Sequence, residues 1–187
     1  MLAGMLQAEQ YGNMIFTPPP GWTRVPQPDS LAFVPGTRTA RDKVMLVLLQ
    51  DRELSGDFRN AFASLVRSRI KKNERVLQHT PPSPFRNSTN AEGLFQILIV
   101  RDSAGHETAR NFLGFHVGNR IDVITLDASN RDVFVQNQPI FKEFVSHLQF
   151  TEVAPDQSEP NHGTRKSSEQ EAAPHAETAN HPESRLK

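Results

Sequence analysis

Lys43-Val44-Met45-Leu46-Val47-Leu48-Leu49-Gln50 runs through six consecutive apolar residues without the alternation of a strand that keeps one wet face. Such a run suits a central strand covered on both sides, so two layers must pack against the sheet that contains it. Leu94 to Val100 repeats the pattern after the turn-rich approach Asn90-Ala91-Glu92-Gly93.

Around these strands the period changes. From Ser55 to Lys72 the residues Phe58, Phe62, Leu65, Val66 and Ile70 recur at helical spacing, while Arg59, Arg67 and Lys71 fall on the opposite face. Ser55 or Asp57 can cap the start of that helix, and Lys71-Lys72-Asn73 suits its end. A second helix is expected from Asp132 to Leu148, with Phe134, Phe141, Phe144, Val145 and Leu148 on one face. Pro139 should start a new first turn or kink it, because a proline inside a helix removes a hydrogen bond.

Shorter strands are expected at Asn13–Phe16, Leu31–Val34 and Arg75–His79. Pro18-Pro19-Pro20-Gly21 stops the first of these, and Trp22 is expected to plug the core edge. Pro81-Pro82-Ser83-Pro84 reads as a stiff loop. Thr108–Val117 and Arg120–Leu126 flank Gly118-Asn119, a two-residue hairpin signal with glycine first. Strands, helix, antiparallel strands and helix make an α+β fold, an α/β/α sandwich with a central, mainly antiparallel sheet and two main helices.

The ends differ from this body. After Val153 the only large apolar residue is Leu186, and a segment so poor in apolar surface is expected to be a disordered polar tail over residues 152–187. That tail carries seven acidic residues against four basic ones, a net −3, which leaves +3 scattered over the body. Residues 1–10 are expected to be a flexible N-terminus or the remnant of a signal peptide. Leu6-Gln7-Ala8 suits a small-residue cleavage site, whereas Met5 stands where a lipidated cysteine would have to be. The location expected is periplasmic or secreted if an upstream signal peptide is missing from this chain, and otherwise cytoplasmic.

The chain has 187 residues, with 21 Lys and Arg balanced by 21 Asp and Glu, so no global field favours nucleic acid. Without cysteine there is no disulfide framework, thiol catalysis or cysteine zinc site, and no apolar run is long enough to span a bilayer. Glycine-rich phosphate loops, a nucleophile elbow and a paired-histidine zinc helix are all missing.

What remains are single residues. Glu143 and His147 stand one helical turn apart and read as a surface ion pair. His116 with Asp122 is a hydrolase-like combination, but no spacing encodes a triad around it. His79 and His106 abut loops and read as surface residues. His162, His175 and His181 of the tail could share a metal only by gathering a flexible chain. Asn87-Ser88-Thr89 matches a glycosylation acceptor, a three-residue pattern that chance produces often. No catalytic, cofactor-binding or metal-binding residue is assigned, and no cofactor is expected.

Tyr11-Gly12-Asn13-Met14-Ile15-Phe16 leads into Pro20-Gly21-Trp22, and the last helix closes on Phe144-Val145-Ser146-His147-Leu148-Gln149-Phe150. With the long apolar strand, the amphipathic helix and the glycine-linked hairpin between them, this order resembles the PsbP-like (Mog/PsbP) superfamily, including small bacterial domains, over residues 11–151. The resemblance implies a non-enzymatic α/β/α sandwich that binds other macromolecules. Members of that superfamily include photosystem subunits, a nuclear-import cofactor, envelope lipoproteins and chaperone-adaptors. The function expected is therefore a non-catalytic protein-interaction domain: an adaptor, chaperone or envelope-associated binding protein whose partner is another protein. The alternative is a small apolar-ligand or metal-binding protein that uses a helix–sheet pocket or the tail histidines.

Overall fold

The computed structural model describes residues 7–37, 42–54 and 56–151, without the side chains of residues 50 and 51. Its strands are β1 (Glu9–Tyr11), β2 (Met14–Phe16), β3 (Trp22–Gln27), β4 (Ser30–Pro35), β5 (Val44–Glu53), β6 (Glu74–His79), β7 (Ser83–Arg86), β8 (Glu92–Asp102), β9 (Glu107–Val117), β10 (Arg120–Ala128) and β11 (Gln149–Phe150). Helix α1 (Phe58–Ser68) follows β5, and α2 (Arg131–Ser146) follows β10. Eight strands form one sheet in the order β3-β4-β5-β10-β9-β8-β6, with β7 also paired to β8. Every pairing in it is antiparallel. A small sheet, β1-β2-β11, joins the two ends of the body.

The unalternating run in β5 is explained by its neighbours. Leu46 and Leu48 enter the core that holds Phe134, Phe141 and Phe144 of α2. Val47 and Leu49 enter a second core with Phe62 and Val66 of α1. The two helices therefore cover opposite faces of one antiparallel sheet, and the α+β sandwich expected from the sequence is the architecture observed. The β9–β10 hairpin turns at Gly118-Asn119, with Val117 paired to Arg120 and Gly118 at φ 61°.

Several local expectations are corrected. The stiff loop at Pro81–Pro84 ends in a strand, because Ser83–Arg86 pairs with β8 and puts Pro84 opposite Leu94. β7 pairs on one side only, where a proline's missing N–H costs little. Helix α1 is shorter than Ser55–Lys72, and Asp57 caps it by accepting from the Asn60 N–H at 2.9 Å. Pro139 starts no new turn, since α2 begins eight residues earlier behind Asn130, whose Oδ1 accepts from the Val133 N–H at 2.9 Å. The carbonyl that Pro139 leaves without an amide partner is that of Val135, which is 61% exposed, so water can serve it. Glu9 and Gln10, expected in the N-terminal segment, belong to β1. Residues 1–6 and the expected polar tail from 152 lie outside the described residues. Among the described residues no helix is long and apolar enough to cross a membrane.

Candidate functional site

The C-terminal half of α2 lies between two concavities. On one flank it faces the segment that joins β2 to β3. There Pro18, Pro19 and Pro20 cannot form a ladder, and Gly21 at φ 75° closes a turn in which the Trp22 N–H reaches the Pro19 carbonyl at 3.1 Å. The prolines stand away from α2 and leave an open cleft of about 980 Å³, floored by Ile140 and Phe144 and bounded by Thr89, Glu143, His147 and Gln149. Its walls are stiff, one being a proline run and the other a helix. The rim carries the expected pair: Glu143 Oε1 lies 3.5 Å from His147 Nδ1, and both side chains are well exposed.

Asn87 sets the position of α2 beside this cleft. Its Nδ2 donates to the carbonyls of Val145 at 3.2 Å and Leu148 at 2.9 Å, just where α2 ends. Its Oδ1 accepts from the amides of Thr89 at 3.1 Å and Ala91 at 2.9 Å. The Thr89 hydroxyl lies 2.9 Å from that oxygen and 2.8 Å from the Leu148 carbonyl. The Asn87-Ser88-Thr89 triplet thus fastens a helix end, and the amide nitrogen that a glycan would need is already engaged. The left-handed residue that completes this loop is Asn90, at φ 65°.

On its other flank α2 leaves a pocket of about 470 Å³ against β7, β8 and β9. Phe95 and Ile97 of the sheet are only half-buried there. This is a helix–sheet pocket of the kind that the small-ligand alternative requires.

The opposite face of the sheet carries charge instead. Arg110 on β9 gives Glu74 two hydrogen bonds, at 2.9 and 2.7 Å, and a third at 3.2 Å to the Arg69 carbonyl at the end of α1. The hydrogen bond from Arg110 holds the Glu74 carboxyl below the usual carboxylate range. Burial opposes the charge on Arg110, but Glu74 and Asp127 more than offset it and raise its affinity for the proton. Asp127, opposite Arg110 on β10, is pushed upward by burial although its side chain remains 31% exposed. Burial lowers Arg69, and Arg52 lowers it further.

The remaining sequence candidates do not converge. His116 stacks on Phe58 of α1, with ring centroids 5.4 Å apart. Asp122 is paired across the hairpin with Phe115 and faces α2, whereas Ile121, the partner of His116, faces α1. The sheet therefore separates His116 from Asp122, and the hydrolase combination does not form. His79 is exposed, and so is His106, whose amide donates to Asp102 Oδ1 at 2.9 Å and draws that carboxyl's pKa down. No three His, Asp or Glu residues come close enough to hold a metal among the described residues. The tail histidines lie outside those residues.

No protein-family model matches the sequence, and no curated protein does. The backbone does match solved structures. LpqN, involved in cell envelope biogenesis of Mycobacterium tuberculosis, aligns over 74% of this chain and 83% of its own with TM-score 0.52 and 10% identity. The chain has the Mog1/PsbP-like fold. The Saccharomyces cerevisiae Ran-binding protein Mog1p aligns over 79% of this chain and 97% of its own, at TM-score 0.48 and 8% identity. Cyanobacterial PsbP from Synechocystis aligns over 81% and 96%, at TM-score 0.47 and 9% identity. In the Mog1/PsbP-like frame of this chain, the two concavities flank the last helix and the charge network sits under the first.

Proposed function

We propose that this chain is a non-catalytic protein-interaction domain, an adaptor, chaperone or envelope-associated binding protein, and that its partner docks in the proline-walled cleft beside α2. The observation that carries the proposal is the cleft itself. It is apolar and stiff-walled, and it is open to solvent at Ile140 rather than filled by the chain's own core. Rigid walls lose little conformational entropy when a partner arrives, so an apolar segment bound there keeps more of its burial energy. The likeness of the backbone to LpqN supports an envelope setting for that binding.

The test is an affinity capture from extracts of the source organism, with the full chain, Ile140→Asp and Arg67→Asp on the outer face of α1 as baits. A recurring partner should be held by the full chain and by Arg67→Asp, and lost with Ile140→Asp. Equal capture by all three baits would move the interface away from the cleft, and capture by none would remove the reading. Fractionation of the tagged chain checks the envelope setting.

A further inference from the structure

We propose that the pocket on the other flank of α2 binds a small amphiphile, an unbranched apolar chain that ends in a carboxylate. This inference does not depend on the partner reading, and it can fail or stand by itself. The pocket, of about 470 Å³, lies between α2 and the sheet. That is within the range of cavities that hold small molecules.

Its walls come from Phe95, Ile97 and Leu113 on the sheet and Phe141 on the helix, with Phe85 closing one end. Phe85 reaches that position because it stands opposite Gly93, where a Cβ would come within 2.7 Å of its ring. The result is an aromatic wall, with Phe85 set edge-on to Phe95 at 6.4 Å and to Phe115 at 5.1 Å. An apolar chain is the ligand that such walls remove from water.

Charge gives the ligand a direction. Two cations line the pocket. Arg86 is paired with Glu92, while Lys142 is exposed and has no ion pair among the described residues. An ammonium over the open end of an apolar pocket complements an anionic head group whose chain lies inside. A carboxylate head at Lys142, with the chain lying against Phe95, Ile97 and Leu113, uses the exposed cation and the apolar walls.

Calorimetric titration of the full chain with decanoate, and separately with 1-decanol, tests the proposal. Decanoate should bind saturably, one per chain. Lys142→Met keeps the aliphatic stem and removes the charge, so it should weaken decanoate by about two- to fivefold, the effect of an exposed ion pair, and leave 1-decanol unchanged. Ile97→Phe fills the pocket and should abolish both, with an unchanged circular-dichroism spectrum as the check on folding. The proposal is overturned if the unsubstituted chain binds no decanoate, if Ile97→Phe binds as well as the parent, or if Lys142→Met weakens the alcohol as much as the acid.

Discussion

On the α1 side of the sheet, Phe62 and Val66 dip into a compact core, and the end of the helix is held by a buried Arg110–Glu74 pair with side chains 8% and 5% exposed. On the α2 side the core is a chain of rings. Phe16 lies 5.8 Å from Phe33 and 5.7 Å from Phe144, and Phe115 lies 4.8 Å from Phe150. The neutral amide of Asn87 holds the end of that helix. The charged fastening belongs to the α1 face, whose own hollows lie at the two ends of that helix, beside Phe58 and His116 and beside Leu49 and Arg69. The neutral one belongs to the α2 face, whose two concavities run along the helix. A buried ion pair tolerates little displacement, because separating its members strands a charge. An amide donating to two carbonyls loses less when it gives way. The α2 side is thus the one on which a ligand or partner can be received without pulling on the Arg110–Glu74 pair.

The comparison breaks most directly at Arg110. Arg110→Ala leaves the Glu74 carboxylate buried without its partner and should cost about 3–5 kcal/mol in urea unfolding. Asn87→Ala removes the donor to Val145 and Leu148 and the acceptor inside its loop, and should cost about 2–3 kcal/mol. If the amide variant proves the more costly, the α2 side is the rigid one and the contrast is inverted.

Packing can be compared in the same way. A Cβ on Gly114 would stand 2.5 Å from the Phe62 ring, which is fully buried and has nowhere to retreat. Gly114→Ala should therefore cost about 1–3 kcal/mol through overpacking under α1. An unchanged melting temperature would mean that α1 can lift from the sheet, and the α1 face would lose its claim to rigidity.

Much of this layering could be read in the sequence, because it is written in local patterns. The unalternating β5, the helical stripes of α1 and α2 and the glycine-first hairpin each declare themselves within a dozen residues. β7 did not, because Pro84 argues against a strand unless the strand is known to pair on one side only. Arg110 and Glu74 stand 36 residues apart, and nothing local links them. One signal was present: Arg110 shares strand parity with Phe112, which places a charge on the inward face of β9. Asn87 was hidden by its own motif, since Asn-x-Thr reads as a surface acceptor while the loop turns its amide inward. The pockets depend on how far α2 stands from its neighbours, a distance that no periodicity encodes.

The smallest expected effects concern pH, where two acids beside one arginine should behave oppositely. The Glu74 carboxyl is held below its ordinary value chiefly by the hydrogen bond from Arg110. Its contribution is therefore complete above the unfolded value, about 4.3, and is lost as pH falls through the folded one. Glu74→Gln should be less stable than the parent at neutral pH, and the gap should close on acidification below about 4.3. Asp127 is raised by burial, so its ionised form is the one the fold disfavours. Asp127→Asn should match or slightly exceed the parent at pH 7, and the advantage should disappear below the unfolded value of about 3.9. Melting curves of both variants from neutral to acid decide the matter. Parallel losses at pH 7 would mean that Arg110 holds both acids equally, and that the network under α1 is a triad rather than a pair with a bystander.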